Sequence, residues 1–224
     1  MTDQERKDRL FRSMRKLEAY RIIQNEMGRV TAAFNFRQPE PILARFALDR
    51  PEVSLEYCDE GRFEGPEAVA RKIREVVGAP QKPGELVDLQ LTTPMIEIAE
   101  DLSSARCLWW IQGIGSLPRE GRDPQPIWIW GQAAADFIPE ENTWKLLRLH
   151  YFRLIKCDYH KGWVEDTSMR NRLNTPLDPE AKACSYHNPY GPQAIREGLP
   201  CPPKPYGTAE DGCRFWELDR NKEW

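Results

Sequence analysis

The sequence lacks any segment of the kind that takes a chain to or through a membrane. Its first residues, MTDQERKDRLFR, are charged throughout and contain no apolar stretch of the kind found in signal peptides. No apolar run approaches the roughly 18 residues that a membrane-spanning helix needs. We therefore expect a cytoplasmic protein that has no membrane partner.

An excess of charge of one sign is also lacking. The 224 residues include 32 Lys and Arg and 35 Asp and Glu, and the basic residues are scattered among acidic neighbours. Proteins that bind nucleic acid usually carry a basic patch or stripe, which this pattern does not provide. We expect no nucleic-acid partner.

Motifs for metal, phosphate and nucleophile chemistry are missing as well. The six cysteines form no C-x-x-C pair and the three histidines are dispersed, so we expect neither a metal nor a cofactor. The sequence contains no G-x-S-x-G and no H-E-x-x-H, and GIGSLPREG from Gly113 runs from a strand into a loop, which is a weak nucleotide signal. Reduced thiols are expected, with a disulfide among Cys184, Cys201 and Cys213 as the alternative.

The clearest local pattern is a long β-hairpin near the middle of the chain. A breaker-rich interval, PEENT at 139–143, separates two long apolar runs, as in antiparallel strands joined by a turn. A turn centred near Glu141 and Asn142 places Gln132 opposite His150. The same register pairs Ala134 with Arg148 and Trp130 with Phe152.

The two faces of this hairpin differ in character. One face mixes polar groups with aromatic rings, and this mixture favours a pocket wall. It consists of Trp128, Trp130, Gln132, Ala134, Asp136, Leu146, Arg148, His150 and Phe152. The other face is apolar and requires a helix, a sheet or another subunit to cover it. It consists of Ile129, Gly131, Ala133, Ala135, Phe137, Leu147, Leu149 and Tyr151.

The remaining elements predict an α+β fold, with helices first and an antiparallel sheet afterwards. The predicted elements are a helix at 3–34, a short helix at 41–46, a strand at 53–57, a helix at 67–77, a strand at 86–99 broken at Pro94, a strand at 105–114 and a loop at 115–126. We assign 1–155 to one domain.

The segment 156–224 is a C-terminal extension. It contains 8 of the 19 prolines and cannot form a core of its own, yet it is rich in aromatic residues. An arm that packs on the domain or on a partner subunit is expected. Two interpretations are open for His187, Tyr186 and Tyr190. They either form a lid over the pocket or pack on the surface of the domain.

Three motifs occur in an order that resembles the SnoaL-like branch of the nuclear transport factor 2-like superfamily. They are SLEYCDEGRFEGPEAVARKI at 54–73, TTPMIEIAEDLSSARCLWW at 92–110 and DFIPEENTWKLLRLH at 136–150. With the helices before them, the resemblance extends from about Lys16 to Ile155. The proline- and tyrosine-rich tail is similar to that of the longer bacterial members.

The resemblance implies a cone-shaped, curved antiparallel sheet that encloses a pocket with N-terminal helices and usually dimerises through the sheet. Enzymes of the superfamily are dehydratases, cyclases, isomerases and lyases that work without a cofactor. One group releases formaldehyde from lignin-derived diarylpropanes. The resemblance therefore implies a small-molecule substrate and a homodimer or higher homo-oligomer.

The sequence departs from the dehydratase pattern of that superfamily. Val30 and Asn35 stand where dehydratases have a Tyr and an Asp, and Leu89 and Gln90 stand where many have a His. The dehydration residues therefore do not carry over intact. Arg148 does match a pocket arginine of the family.

His150 and Arg148 are the first two candidate catalytic residues. The imidazole of His150 can exchange a proton near neutral pH, although a core histidine bonded to Gln132 is the alternative. The guanidinium of Arg148 suits an oxyanion or a leaving hydroxyl, with an ion pair to Asp136 or Glu56 as the alternative.

Asn35 is the third candidate catalytic residue, because its amide can orient a substrate hydroxyl. Its alternative is a structural role at a helix end. An aromatic wall would favour a flat ligand. The candidate substrate-binding residues are Tyr20, Tyr57, Trp110, Trp128, Trp130 and Gln132.

We therefore predict a cofactor-independent lyase or dehydratase that acts on a small hydrophobic, aromatic or polycyclic hydroxylated molecule. The alternatives are an isomerase or cyclase of the same superfamily, and a small-molecule-binding protein without catalysis.

Overall fold

The computed structural model describes residues 2–57, 60–166, 180–186 and 188–211. Predictions that involve His187 and Cys213 lie outside the described residues. The helices are α1 (Asp3–Asn35), α2 (Pro39–Leu43), α3 (Pro66–Gly78) and α4 (Gly162–Glu165). The strands are β1 (Ser54–Tyr57), β2 (Gly61–Glu64), β3 (Leu86–Ile98), β4 (Ala105–Arg119), β5 (Arg122–Glu140) and β6 (Thr143–Asp158).

Helix α1 confirms the helix predicted at 3–34. Thr2 and Glu5 form a capping box at its start, which satisfies amide groups that would otherwise lack partners. Ile23, Met27 and Val30 recur three or four residues apart and are all buried. The second half of α1 therefore packs against the sheet.

The strands form one curved sheet in the order β2-β1-β6-β5-β4-β3. The pairing of β1 with β6 is parallel, whereas the other neighbouring strands run antiparallel. The predicted loop at 115–126 is wrong, because β4 and β5 continue to a tight turn in which Gly121 has a φ of +64°. The glycines and prolines of this interval lie within the long strands or in that turn, so they do not form a loop.

The predicted turn at Glu141 and Asn142 is confirmed, but the predicted register is wrong by two residues. His150 lies opposite Ala134 rather than Gln132, and Arg148 lies opposite Asp136. Irregularities in the pairing, one of them next to Phe137, shift the register. A shift of two residues keeps His150 and Arg148 on their predicted face. The irregularity next to Phe137 moves Leu146, predicted on the mixed face, into the buried cluster that contains Phe137 and Ala135.

Helices α1 and α3 cover the apolar face of the hairpin, which we call the inner face. Ala133, Ala135 and Tyr151 of this face belong to one buried cluster with Met27 of α1 and Ile73 of α3. The same chain thus provides the cover, and this face gives no argument for a partner subunit. We call the opposite side of the sheet the outer face.

Residues 180–186 and 188–211 of the extension lie on the outer face, and we call them the arm. It begins with a bridge between Lys182 and Arg62, and Tyr190 donates a hydrogen bond to the carbonyl of Leu154 (2.8 Å). At its far end Tyr206 and Gly207 accept from the backbone of the β3–β4 turn. The proposed domain boundary at 155/156 falls within β6, which continues to Asp158.

Candidate active site

A chamber of about 90 Å³ lies between the inner face of the sheet and helices α1 and α3. Its walls are almost entirely apolar. They consist of Met27, Val30, Thr31, Phe34, Ile42, Phe46, Leu55, Tyr57, Lys72, Ile73, Val76, Val77, Leu89, Leu91, Ile111, Ala133, Leu149 and Tyr151. An apolar lining of this kind suits a small hydrophobic molecule.

A second space of about 170 Å³ adjoins the chamber, and we call it the mouth. The two spaces share six lining residues, among them Tyr57 and Tyr151. The mouth differs from the chamber in its polar lining. Its polar and charged residues are Asn35, Arg37, Tyr57, Gln81, Glu85, Tyr151, Arg153 and Lys156.

Tyr57, Tyr151 and Arg153 form a cluster where the chamber meets the mouth. Tyr57 of β1 is the register partner of Tyr151 of β6, so both rings lie on the inner face with centroids 5.9 Å apart. Arg153 lies two residues beyond Tyr151, and its guanidinium carbon is 5.7 and 5.8 Å from the two ring centroids. Arg153 is only 7% exposed. A cation stacked on two rings is held in a fixed position.

Gly131 of β5 provides the space for this cluster. It is paired with Arg153, and a Cβ atom at this position would lie 2.3 Å from the carbonyl oxygen of Phe152 and 2.9 Å from the ring of Tyr151. The Tyr151 ring therefore lies close against the backbone of β5. The sequence places a glycine where this ring needs room.

Lys72 also lines the chamber, but its charge lies elsewhere. The ammonium is 3.0 Å from Glu75, 3.3 Å from Glu60 and 5.1 Å from the ring centre of Phe63. None of these three residues lines the chamber. The apolar stem of Lys72 therefore forms the wall, and its buried ammonium is held by the two carboxylates.

Asn35 lies at the mouth, at the C-terminal end of α1. Its amide donates to the carboxylate of Asp88 (3.0 Å) and the carbonyl of Leu89 (2.9 Å), and accepts from the amide of Leu89 (3.0 Å). These three bonds attach the helix end to β3. Asn35 thus helps to position the wall of the site.

Six of the nine predicted site residues lie on the outer face, away from the chamber. The mixed face of the hairpin, which was predicted to form a pocket wall, lines neither the chamber nor the mouth. The alternation of side chains placed these six residues on one face, but the sheet curves around the other face. The six residues are Trp110, Trp128, Trp130, Gln132, Arg148 and His150.

His150 and Arg148 have structural partners on the outer face. His150 is 1% exposed, stacks on Phe152 with ring centroids 3.7 Å apart, and has Nδ1 3.5 Å from the carboxylate of Glu56. Arg148 forms an ion pair with Asp136 at 3.2 Å. Both contacts place these side chains within the sheet and arm rather than against the chamber.

The aromatic residues predicted to bind substrate are divided between the two faces of the sheet, with the tyrosines on the inner side and the tryptophans on the outer face. Tyr57 lines the chamber, whereas Tyr20 packs against the core beside it. Trp128 stacks on Tyr159 with ring centroids 5.2 Å apart. Trp110 is 38% exposed and lies beneath the guanidinium of Arg196. The predicted tryptophan wall therefore lies outside the chamber.

Cys107 is a buried thiol on the inner face that takes no part in the site. Burial, with a smaller contribution from the Asp136 charge, raises the pKa of this thiol well above its ordinary value. A protonated thiol is a poor nucleophile and a poor metal ligand. Among the described residues, no group of three or more His, Cys, Asp and Glu side chains is arranged to hold a metal ion.

None of the described helices combines the length and the apolar character needed to cross a bilayer.

Three solved structures show which fold the chain has. A protein assigned as a scytalone dehydratase from Novosphingobium aromaticivorans is 18% identical, with a TM-score of 0.52 over 65% of this chain and 90% of that chain. A type 2 hexachlorocyclohexane dehydrochlorinase (LinA) is 16% identical, with a TM-score of 0.54 over 65% and 92%. A protein assigned as a dehydratase of the NTF2-like family from Streptomyces avermitilis is 12% identical, with a TM-score of 0.52 over 61% and 97%.

The chain thus has the nuclear transport factor 2-like fold, and this confirms the α+β fold class implied by the sequence motifs. At these identities the likeness concerns the fold. No protein-family model matches the sequence, and no curated protein does.

Proposed function

We propose that the chain is an enzyme, a cofactor-independent lyase that eliminates water from a small hydrophobic, hydroxylated molecule held in the chamber. The observation that supports this proposal best is the cluster of Tyr57, Tyr151 and Arg153 at one end of an otherwise apolar space. The names of the three similar structures describe dehydratases and a dehydrochlorinase, and both reactions are eliminations.

The cluster contains the groups that an elimination from a phenol requires. Arg153 favours the ionised phenol, because a fixed cation stabilises an oxygen anion in a site that excludes water. The electron pair of the phenolate moves into the ring and the benzylic carbon–oxygen bond breaks. The departing hydroxyl takes a proton from the hydroxyl of Tyr57 or Tyr151 and leaves as water. The tyrosinate then recovers the proton that the phenol released, and the substrate becomes a quinone methide.

A binding protein without catalysis is the second candidate. Among the described residues that line the chamber there is no His, Asp or Glu, so the tyrosines are the groups there that could transfer a proton. A protein that only binds its ligand needs no proton-transferring group, and the scarcity of such groups favours this candidate. An isomerase of the same fold is the third candidate, and the mass of the product separates it from a lyase.

Product analysis with a tyrosine variant tests the proposal. We expect hydroxybenzyl alcohols with one or two rings to lose the mass of water or, after carbon–carbon cleavage, of formaldehyde. Tyr151→Phe should lower kcat by about 10²-fold or more, which is typical of the loss of a general acid. Tyr159→Phe is the matched control, because Tyr159 is half-exposed and stacks on Trp128 outside the chamber.

Two results would contradict the lyase assignment. A product with the mass of the substrate would indicate isomerisation. Saturable binding of the alcohols without any turnover would indicate a binding protein. A kcat equal to that of the wild type in both Tyr151→Phe and Tyr57→Phe would show that the tyrosines take no part in the reaction.

The cytoplasmic location and the homo-oligomeric state stay predictions.

A further inference from the structure

We propose that two copies of this chain associate through the N-terminal part of α1, residues 3–21, with the two helices antiparallel. The proposal does not depend on the reaction in the chamber. Its basis is an apolar row along α1, formed by Leu10, Met14 and Leu17, which we call the stripe.

The stripe is exposed although its residues are apolar. With all described residues present, the exposed fraction is 63% for Leu10, 60% for Met14 and 70% for Leu17, and Phe11 beside them is 71% exposed. Single exposed apolar residues are common on protein surfaces, but a contiguous group of them marks an interaction site. Spacings of four and three residues align the stripe along one side of the helix, as in the seam between two packed helices.

The stripe faces away from the domain, because the apolar side of α1 changes along the helix. A helix turns by about 100° per residue, so Met14 lies about 180° around α1 from Ile23. Ile23 is completely buried in the core. Up to residue 16 the side of α1 that faces the domain is polar, and Lys16 pairs there with Glu100 of the β3–β4 turn.

A second copy of the stripe is complementary to the first. In an antiparallel pair centred on residue 12, Leu10 of each copy lies opposite Met14 of the other, and Leu17 lies opposite Lys7. The helices then meet in apolar layers at the centre, and the apolar stem of Lys7 covers Leu17 on either side. Each contact occurs twice, as a two-fold symmetric interface requires.

The charges beside the stripe favour this antiparallel arrangement. Asp3 of one copy lies opposite Arg21 of the other, and the ammonium of Lys7 lies near the carboxylate of Glu18. All four side chains are exposed and therefore accessible to a partner. A parallel pair would place each of these charges beside the same charge of the other copy, which costs energy.

The size of the contact sets its strength. Residues 3–21 extend over about 27 Å at about 1.5 Å per residue, and one helix from each copy forms a small interface. The stripe takes no part in the domain core, so the separated chain stays folded. The dimer should therefore form reversibly and dissociate on dilution.

Sedimentation of the full chain over a range of protein concentrations tests the proposal. We expect a monomer–dimer equilibrium that Met14→Asp weakens at least about a hundredfold, because a carboxylate without a partner then lies against Leu10 in both central layers. Ile195→Asp is the matched control, since Ile195 is also exposed (88%) but lies in the arm. This control should dimerise as the wild type does. Circular dichroism and melting temperatures separate lost association from lost folding.

A charge exchange tests the antiparallel register. Arg21→Glu should weaken the dimer by about tenfold, because two carboxylates then lie opposite each other at both ends of the interface. The double variant Asp3→Arg, Arg21→Glu should recover the affinity of the wild type, because the opposite charges then face each other again.

Three outcomes would overturn the proposal. They are a monomer at every concentration, an undiminished dimer in folded Met14→Asp, and no recovery of affinity in the double variant. A monomeric wild type that binds vesicles of phosphatidylserine and phosphatidylcholine, and loses this binding in Met14→Asp, would assign the stripe to a membrane surface instead.

Discussion

Phenylalanine in place of Thr31 should abolish ligand binding, whereas phenylalanine in place of the next residue, Ala32, should leave it unchanged. Thr31 is half-buried on α1, lines the chamber and bonds through its hydroxyl to the carbonyl of Met27 (3.0 Å), whereas Ala32 is exposed. A phenyl ring at position 31 therefore fills the space that the ligand needs. We expect the affinity for a two-ring hydroxybenzyl alcohol to fall at least about a hundredfold, or about 2.8 kcal/mol.

A second variant approaches the chamber from the opposite wall. Ala133 of β5 lies on the inner face and lines the same space. Ala133→Phe should therefore lose binding and turnover as Thr31→Phe does, with calorimetry and product analysis as the measurements. If both variants fold and still bind the alcohol like the wild type, the chamber is not the ligand site.

Glu56→Ala should lower the free energy of unfolding by about 1–3 kcal/mol, the range found when a buried polar group loses its hydrogen-bond partner. Glu56 is 3% exposed. Its carboxylate accepts from the amide of Ser185 (2.7 Å) and from the hydroxyl of Ser185 (2.9 and 3.0 Å), and lies 3.5 Å from Nδ1 of His150. The substitution removes the acceptor that holds Ser185 of the arm and the carboxylate beside the buried His150.

Glu64→Ala is the matched control, because Glu64 also bonds to the arm but at the surface. Its side chain is 41% exposed and pairs with Lys182 and Arg62. Surface pairs of this kind contribute about 0–1 kcal/mol. Urea unfolding of both variants measures the difference, and faster proteolysis within the arm of Glu56→Ala would show that Glu56 attaches it. Equal and small losses of stability in the two variants would contradict this role of Glu56.

The elements of the fold could be predicted because each has a strong local pattern. Helix α1 has apolar residues every three or four positions and no proline, and the hairpin turn has polar breakers between two apolar runs. The strand β2 and the length of β4 and β5 were missed. Gly115 and Pro126 resemble loop residues in the sequence, but the long pairing of β4 with β5 includes both of them.

The position of the site could be predicted only in part, because alternation along a strand assigns two faces but not the direction in which a sheet curves. His150, Arg148 and the tryptophans looked like pocket residues because polar and aromatic groups share their face. That face is instead covered by the arm, whose Ser185 bonds to Glu56. Of the predicted site residues, Asn35 and Tyr57 do line the mouth.

Arg153 was missed for a related reason. An irregularity between Trp130 and Gly131 in the β5–β6 pairing lies beside Arg153, and no local sequence signal marks it. The parallel pairing that brings Tyr57 next to Tyr151 joins residues far apart in the chain. One signal was available, since Leu149, Tyr151 and Arg153 alternate along β6, and extending the apolar face by two residues reaches the arginine.

The most direct test of the central claim is a crystal structure of the protein with a two-ring hydroxybenzyl alcohol bound. We expect the rings between α1, α3 and the inner face, with the benzylic hydroxyl within about 3 Å of the hydroxyl of Tyr57 or Tyr151. Density for the alcohol on the outer face, between the arm and the side chains of His150 and Arg148, would contradict the account.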